Sequence, residues 1–224
     1  MEIHPLEFAV RAVRFASRTV PRLLRHPEAL LTLKWIIGPR RTNWEVDEPW
    51  WTQPAIAYVA LLIRPNDMGF EWGSGGSTVW LVSRGVKITS IEHDQEWVRK
   101  VRERCPQADV EFVPGTDQGV LRSEPQLDDK GVHFFDEYVG AIDVVPDNSL
   151  AIVIVDGICR LECARRAASK LHSGGVLVLD DTDRAFLASG ADQLEELRGW
   201  EVVRKRGFKR MESTLYETSF FRKP

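Results

Sequence analysis

Gly69-Phe70-Glu71-Trp72-Gly73-Ser74-Gly75-Gly76-Ser77-Thr78, followed by Ile91-Glu92-His93-Asp94, decides the reading of this chain. A short apolar run enters a glycine-rich turn. A helix-compatible segment follows, and a second apolar run ends on an acid. This is the layout of a βαβ unit that grips a nucleoside. Glycine carries no Cβ, so the turn can be sharp and the backbone can approach a ligand closely. Glu92 stands 19 residues after Gly73, near the roughly 20-residue spacing at which an acid meets ribose hydroxyls. Asp94 is the better cap for the helix that follows, which leaves Glu92 for the ligand.

Outward from this unit the pattern alternates. Strands are predicted at 69–72, 87–91, 109–113, 151–155 and 176–179. Helices are predicted at 77–83, 95–104, 137–142, 160–171 and about 186–197. Short apolar runs separated by helices indicate a parallel sheet buried on both faces. The last two strands, 200–204 and 214–221, are joined only by a basic loop. So short a connection cannot make a parallel crossover, so they pair antiparallel. The fold class expected is α/β: a Rossmann-like, seven-stranded, mostly parallel sheet with an antiparallel C-terminal strand, preceded by a helical extension. The division expected is 1–65 for the extension and 66–224 for the nucleoside-binding domain.

Composition narrows the function classes. At 224 residues and 43% hydrophobic, the chain can bury a sizeable core. A net charge of −3 gives no global case for a nucleic-acid partner. No apolar run reaches membrane-spanning length, and the start lacks the layout of a signal peptide. Three cysteines, Cys105, Cys159 and Cys163, do not make a disulfide framework, so a cytoplasmic location and buried thiols are expected. Between Arg11 and Arg41 there are eight Lys or Arg against one acid, Glu28. That run is either a solvated helix face or a peripheral membrane contact through 1–41. Trp44, Trp50 and Trp51 precede a helix at 54–62. They either seal two parts of the protein together or stack on a sugar or aromatic acceptor.

Glu71-Trp72-Gly73-Ser74-Gly75-Gly76-Ser77, Ser90-Ile91-Glu92-His93-Asp94, Ile154-Val155-Asp156-Gly157 and Gly174-Gly175-Val176-Leu177-Val178-Leu179-Asp180-Asp181 together resemble the class I S-adenosylmethionine-dependent methyltransferases. The likeness covers about 67–224. Within that superfamily the aspartates look like those of metal-assisted O-methyltransferases, including enzymes acting on sugars. The resemblance implies S-adenosyl-L-methionine as cofactor, held by Glu71 near its ammonium group, Gly73, Gly75, Ser77, Glu92 on the ribose, Pro114 beside adenine, and Asp156. It implies a hydroxylated small molecule or sugar as acceptor.

The ends of the fourth and fifth strands bring Asp156, Asp180 and Asp181 together. Three crowded carboxylates repel one another, and a hard cation such as Mg²⁺ is one remedy. Alternatively Asp156 pairs with Arg160, Asp181 pairs with Arg184, and Asp180 caps the next helix. Without metal, Asp156, Asp181 or His93 would serve as general base. His133 could also face the acceptor. Two competing readings are a nicotinamide-dependent oxidoreductase and a non-catalytic module that docks a partner or membrane through its first helices. The former would want a third glycine where Thr78 stands, together with a hydride-site Tyr/Lys or Ser pair that no motif of this sequence supplies.

Overall fold

The computed structural model describes residues 41–122, 133–212 and 214–224, together with Ser17, Val20, Pro21 and Leu24. The expected membrane contact through 1–41 therefore lies almost wholly outside the described residues. Seven strands form one sheet: β1 (Met68–Trp72), β2 (Lys87–Glu92), β3 (Asp109–Phe112), β4 (Leu150–Val155), β5 (Leu171–Leu179), β6 (Glu201–Phe208) and β7 (Leu215–Arg222). Their order is β3-β2-β1-β4-β5-β7-β6. Strands β1 to β5 are parallel, and β7 lies antiparallel between β5 and β6. The order reverses between β1 and β4, so the crevice for a ligand opens beyond their carboxyl ends.

Among the described residues from 41 on, six α-helices accompany the sheet: α1 (Gln53–Leu62), α2 (Gly76–Val82), α3 (Gln95–Arg104), α4 (Asp136–Gly140), α5 (Arg160–Lys170) and α6 (Ala185–Gln193). Both faces of the central strands are buried, which is why β4 reads as an unbroken apolar run. Val153 and Val155 face α4 and α5 in one core cluster with Phe70 and Trp72. Ile152 and Ile154 face the other way, into a cluster with Trp51, Ala55, Ile56, Val59, Trp80 and Leu81. Each such valine or isoleucine contributes about 1.5–3 kcal/mol on burial. Residues 51–63 are thus part of the packed body of the domain. Thr52 starts α1 by accepting a hydrogen bond from the Ala55 amide at 3.3 Å. Among the described residues no helix is long and apolar enough to cross a membrane.

Most element boundaries fall within a residue or two of expectation, and three differ by more. The last helix ends at Gln193, and a separate 3-10 turn covers Glu195–Leu197. β5 begins at Leu171, because the Gly174-Gly175 pair is a kink within the strand: Gly174 has φ +79° and the register with β4 shifts there. β6 runs on to Phe208, so half of the expected basic loop is strand.

Candidate active site

The glycine-rich turn is held from three sides. Gly73 has φ +92°, and a Cβ on it would lie 2.7 Å from the Gly157 amide nitrogen. Only glycine lets the ends of β1 and β4 come so close. A Cβ on Gly76 would collide with the Glu48 carbonyl oxygen, because 42–52 straps across the turn. Gly75 is extended, and a Cβ there would meet nothing closer than Trp97 Nε1 at 3.4 Å. Trp97 Nε1 donates to the Ser74 carbonyl. Trp44 packs on the Trp97 ring at 5.2 Å, and Arg104 pairs with Asp47 at 2.8 Å, fastening the strap to α3.

Glu92 ends β2 at the floor of a cavity of about 610 Å³. Its Oε1 accepts from the His93 and Asp94 amides at 2.8 and 2.9 Å. Its Oε2 accepts from the Ser74 amide at 2.9 Å and the Ser74 hydroxyl at 3.3 Å. Asp94 caps α3 as expected, accepting from the Glu96 and Trp97 amides. Gly73, Gly75, Ser77, His93, Asp156 and Asp181 also line this cavity. His93 stands on the Glu92 side, its ring edge-on to Phe135 and Tyr138, each 5.9 Å away.

Glu71 does not reach the cavity. It is fully buried behind the turn, where the hydroxyls of Ser77, Thr78 and Ser90 donate to it. Burial raises its carboxyl to about 7 against the pull of those hydroxyls. The expected place beside a cofactor ammonium is therefore corrected: the carboxylate ties α2 to β1 and β2. Pro114 is exposed after β3 and His133 packs beside Gly115, so neither lines the cavity.

The three aspartates converge as the strand order requires. The Val155–Leu179 pairing places Asp156 and Asp180 side by side, and the Asp180 amide donates to the Val155 carbonyl at 3.2 Å. The divalent-metal set expected at Asp156, Asp180 and Asp181 does not form, because cations of the chain hold these carboxylates. Lys209 Nζ donates to Asp180 Oδ2 at 2.7 Å and to Asp181 Oδ1 at 2.6 Å. Thr218 donates to the other Asp180 oxygen at 2.6 Å. Arg160 lies 3.4 Å from Asp156 and 3.3 Å from Asp181, and Arg184 lies 2.9 Å from Asp181. Among the described residues no group of three His, Cys, Asp or Glu side chains is placed to hold an ion.

Electrostatics separates the aspartates. Burial, then Asp180, pushes the Asp156 carboxyl well above the usual range, with Arg160 and Lys209 opposing. Burial would raise Asp181 too, but Lys209, Arg160 and Arg184 together hold it below the usual range. Trp51, fully buried, donates its Nε1 to Asp156 Oδ2 at 3.0 Å, while Trp50 is 59% exposed and lines the cavity. The tryptophan pair thus divides between sealing and facing the cavity. The anticipated Asp156–Arg160 and Asp181–Arg184 pairs are both present. Sequence reasoning missed Lys209 and Trp97. Lys209 lies in the connection that reads only as a basic loop. Trp97 carried one signal, its place in the first turn of the helix that Asp94 caps.

No protein-family model and no curated protein matches the sequence. Solved structures do. An rRNA methylase from Streptococcus thermophilus superposes with a TM-score of 0.53 at 12% identity, over 77% of this chain and 98% of that one. A Streptococcus mutans protein assigned as a methyltransferase, in complex with SAH, gives 0.51 at 12% identity over 76% and 98%. TrmN from Thermus thermophilus gives 0.51 at 13% identity over 76% of this chain and 48% of its own. The chain shares its fold, a Rossmann-like mostly parallel sheet with an antiparallel final pair, with the two methylase structures.

Proposed function

We propose that the chain is an S-adenosylmethionine-dependent methyltransferase that modifies an oxygen of a hydroxylated small molecule or sugar. One observation carries the reading: a single cavity is lined by the glycine-rich turn, Glu92, and the aspartates that end β4 and β5. The donor set fits the cofactor. Gly73, Gly75 and Gly76 present backbone without side chains along one wall, and Glu92 offers a fixed carboxylate for two ribose hydroxyls. Those hydroxyls would compete with the Ser74 hydroxyl, the longest of the four hydrogen bonds Glu92 accepts. When bound, the cofactor supplies a methyl carbon activated by a sulfonium.

The remaining work is positioning and proton transfer. Asp156 lines the cavity, and its burial raises its affinity for a proton, the direction that favours a general base. It accepts the proton that the acceptor hydroxyl gives up. Asp181, tied to three cations, is a poor base, and His93 stands on the cofactor side. Trp50 offers an aromatic face at the cavity wall, which suits a sugar or planar acceptor. The net charge of −3 argues against RNA, although one similar fold belongs to a protein described as an rRNA methylase.

The test is a thermal-shift comparison with S-adenosylhomocysteine, NAD and NADP added separately. A rise with S-adenosylhomocysteine alone is expected; a rise with NAD or NADP alone would replace this reading with an oxidoreductase. Labelled methyl transfer to sugars, phenols and RNA then sorts the acceptor class.

A further inference from the structure

We infer that Lys209 is a built-in counter-cation that makes the acceptor end of this cavity independent of divalent metal. Three carboxylates gathered at two strand ends need positive charge, and a metal ion would provide it through open coordination positions. Here the charge arrives on side chains. Lys209 is 5% exposed and bridges Asp180, which is fully buried, and Asp181. Arg160, 7% exposed, links Asp181 to Asp156 and also donates to the Asp156 and Asp180 carbonyls at 3.0 and 2.9 Å. The Lys209 ammonium further lies 4.7 Å from the Tyr216 ring centre.

These positions are rigid by construction. Lys209 directly follows β6, whose Phe208 pairs with Leu215 of β7, and Thr218 of β7 holds the far side of Asp180. A divalent ion entering between Asp180 and Asp181 would face the ammonium at contact distance, and that repulsion opposes entry. An acceptor arriving here meets fixed cations rather than an open coordination sphere. It need present one oxygen, not the adjacent pair that chelation demands.

The inference takes the acceptor end from the reading above, but its test concerns cation binding and stands apart from methyl transfer. S-adenosylhomocysteine affinity, measured on the same samples, reports on that reading alone. The experiment titrates Mn²⁺ into full-length wild type, Lys209→Met and Lys209→Arg, following Tm and free Mn²⁺ by electron paramagnetic resonance. Wild type and Lys209→Arg should bind no Mn²⁺ at millimolar concentration and show no shift. Lys209→Met, with its acids uncompensated, should lose several degrees of Tm and regain them with Mn²⁺. Two results would overturn the inference: stoichiometric Mn²⁺ binding by wild type that Asp181→Asn abolishes, or a Lys209→Met protein of wild-type Tm indifferent to Mn²⁺. Should Lys209→Met fail to fold even with Mn²⁺, the wild-type titration decides alone: no binding upholds the inference and stoichiometric binding overturns it.

Discussion

Glu71 and Glu92 stand at the carboxyl-terminal parts of neighbouring strands, yet their surroundings assign them opposite work. Glu71 sees three hydroxyls and no cation. Folding raises its carboxyl from 4.5 to about 7, so the folded state favours its protonated form. Stability from this group is therefore fully present below about pH 4.5 and is lost as pH rises through 7, by roughly 3 kcal/mol. Glu71→Gln should flatten that part of the profile, read from urea midpoints at about pH 5 and about pH 8. An unchanged slope would mean Glu71 titrates normally. Glu92→Ala should weaken S-adenosylhomocysteine binding by about 1.5–3 kcal/mol, the scale of hydrogen bonds to a charged group. Calorimetry on the folded variant checks it, and equal affinity would remove Glu92 from the ribose site. Asp156→Asn keeps the shape and an acceptor oxygen for Trp51 but cannot take a proton. Turnover should fall by about 10²–10⁴-fold, the usual contribution of a general base, with cofactor affinity nearly unchanged. A wild-type rate would place the proton transfer elsewhere.

The turn between β1 and α2 shows why glycine count alone misleads. Gly73 and Gly75 are the pair that motif reading selects, whereas Gly73 and Gly76 are the pair that packing demands. Gly76→Ala forces the backbone of the strap to move and should cost a few kcal/mol, on the scale of overpacking. Gly75→Ala should leave stability within about 1 kcal/mol of wild type, since only the Trp97 edge lies near. Paired denaturation curves test the contrast, and equal losses would refute it. The reason lies in contacts distant in sequence, and the same limit governs the site as a whole. Parallel strands were legible because burial on both faces leaves an apolar run. The acid at the end of β2 was legible because its spacing is local. Lys209 was not: its partners Asp180 and Asp181 lie 29 and 28 residues away, and a basic stretch looks solvated unless its fold is known. β5 was cut short because a glycine pair inside a strand has the composition of a turn.

Across the whole chain, the boundary drawn at residue 65 separates segments that the core joins. Ala55, Ile56 and Val59 of α1 share one cluster with β2, β4, β5 and β7. Removing 1–65 should abolish cooperative unfolding, because at least two buried aliphatic side chains and fully buried Trp51 leave with it. Removing 1–40 should retain both a transition and cofactor binding while lowering turnover; calorimetric scans of the two truncations decide. The placement of β7 has a consequence during synthesis. A chain emerging from the ribosome completes β1 to β5 with the β5 edge bare, and β6 alone cannot cover it, because the neighbour of β5 is β7, which is made after β6. Until β7 has emerged, that edge stays open to pairing with other chains, and Asp180 stands without Lys209 and Thr218 clasped around it. Birth order and spatial order are crossed at this hairpin, so the aspartate end of the sheet can mature only once β7 has been made.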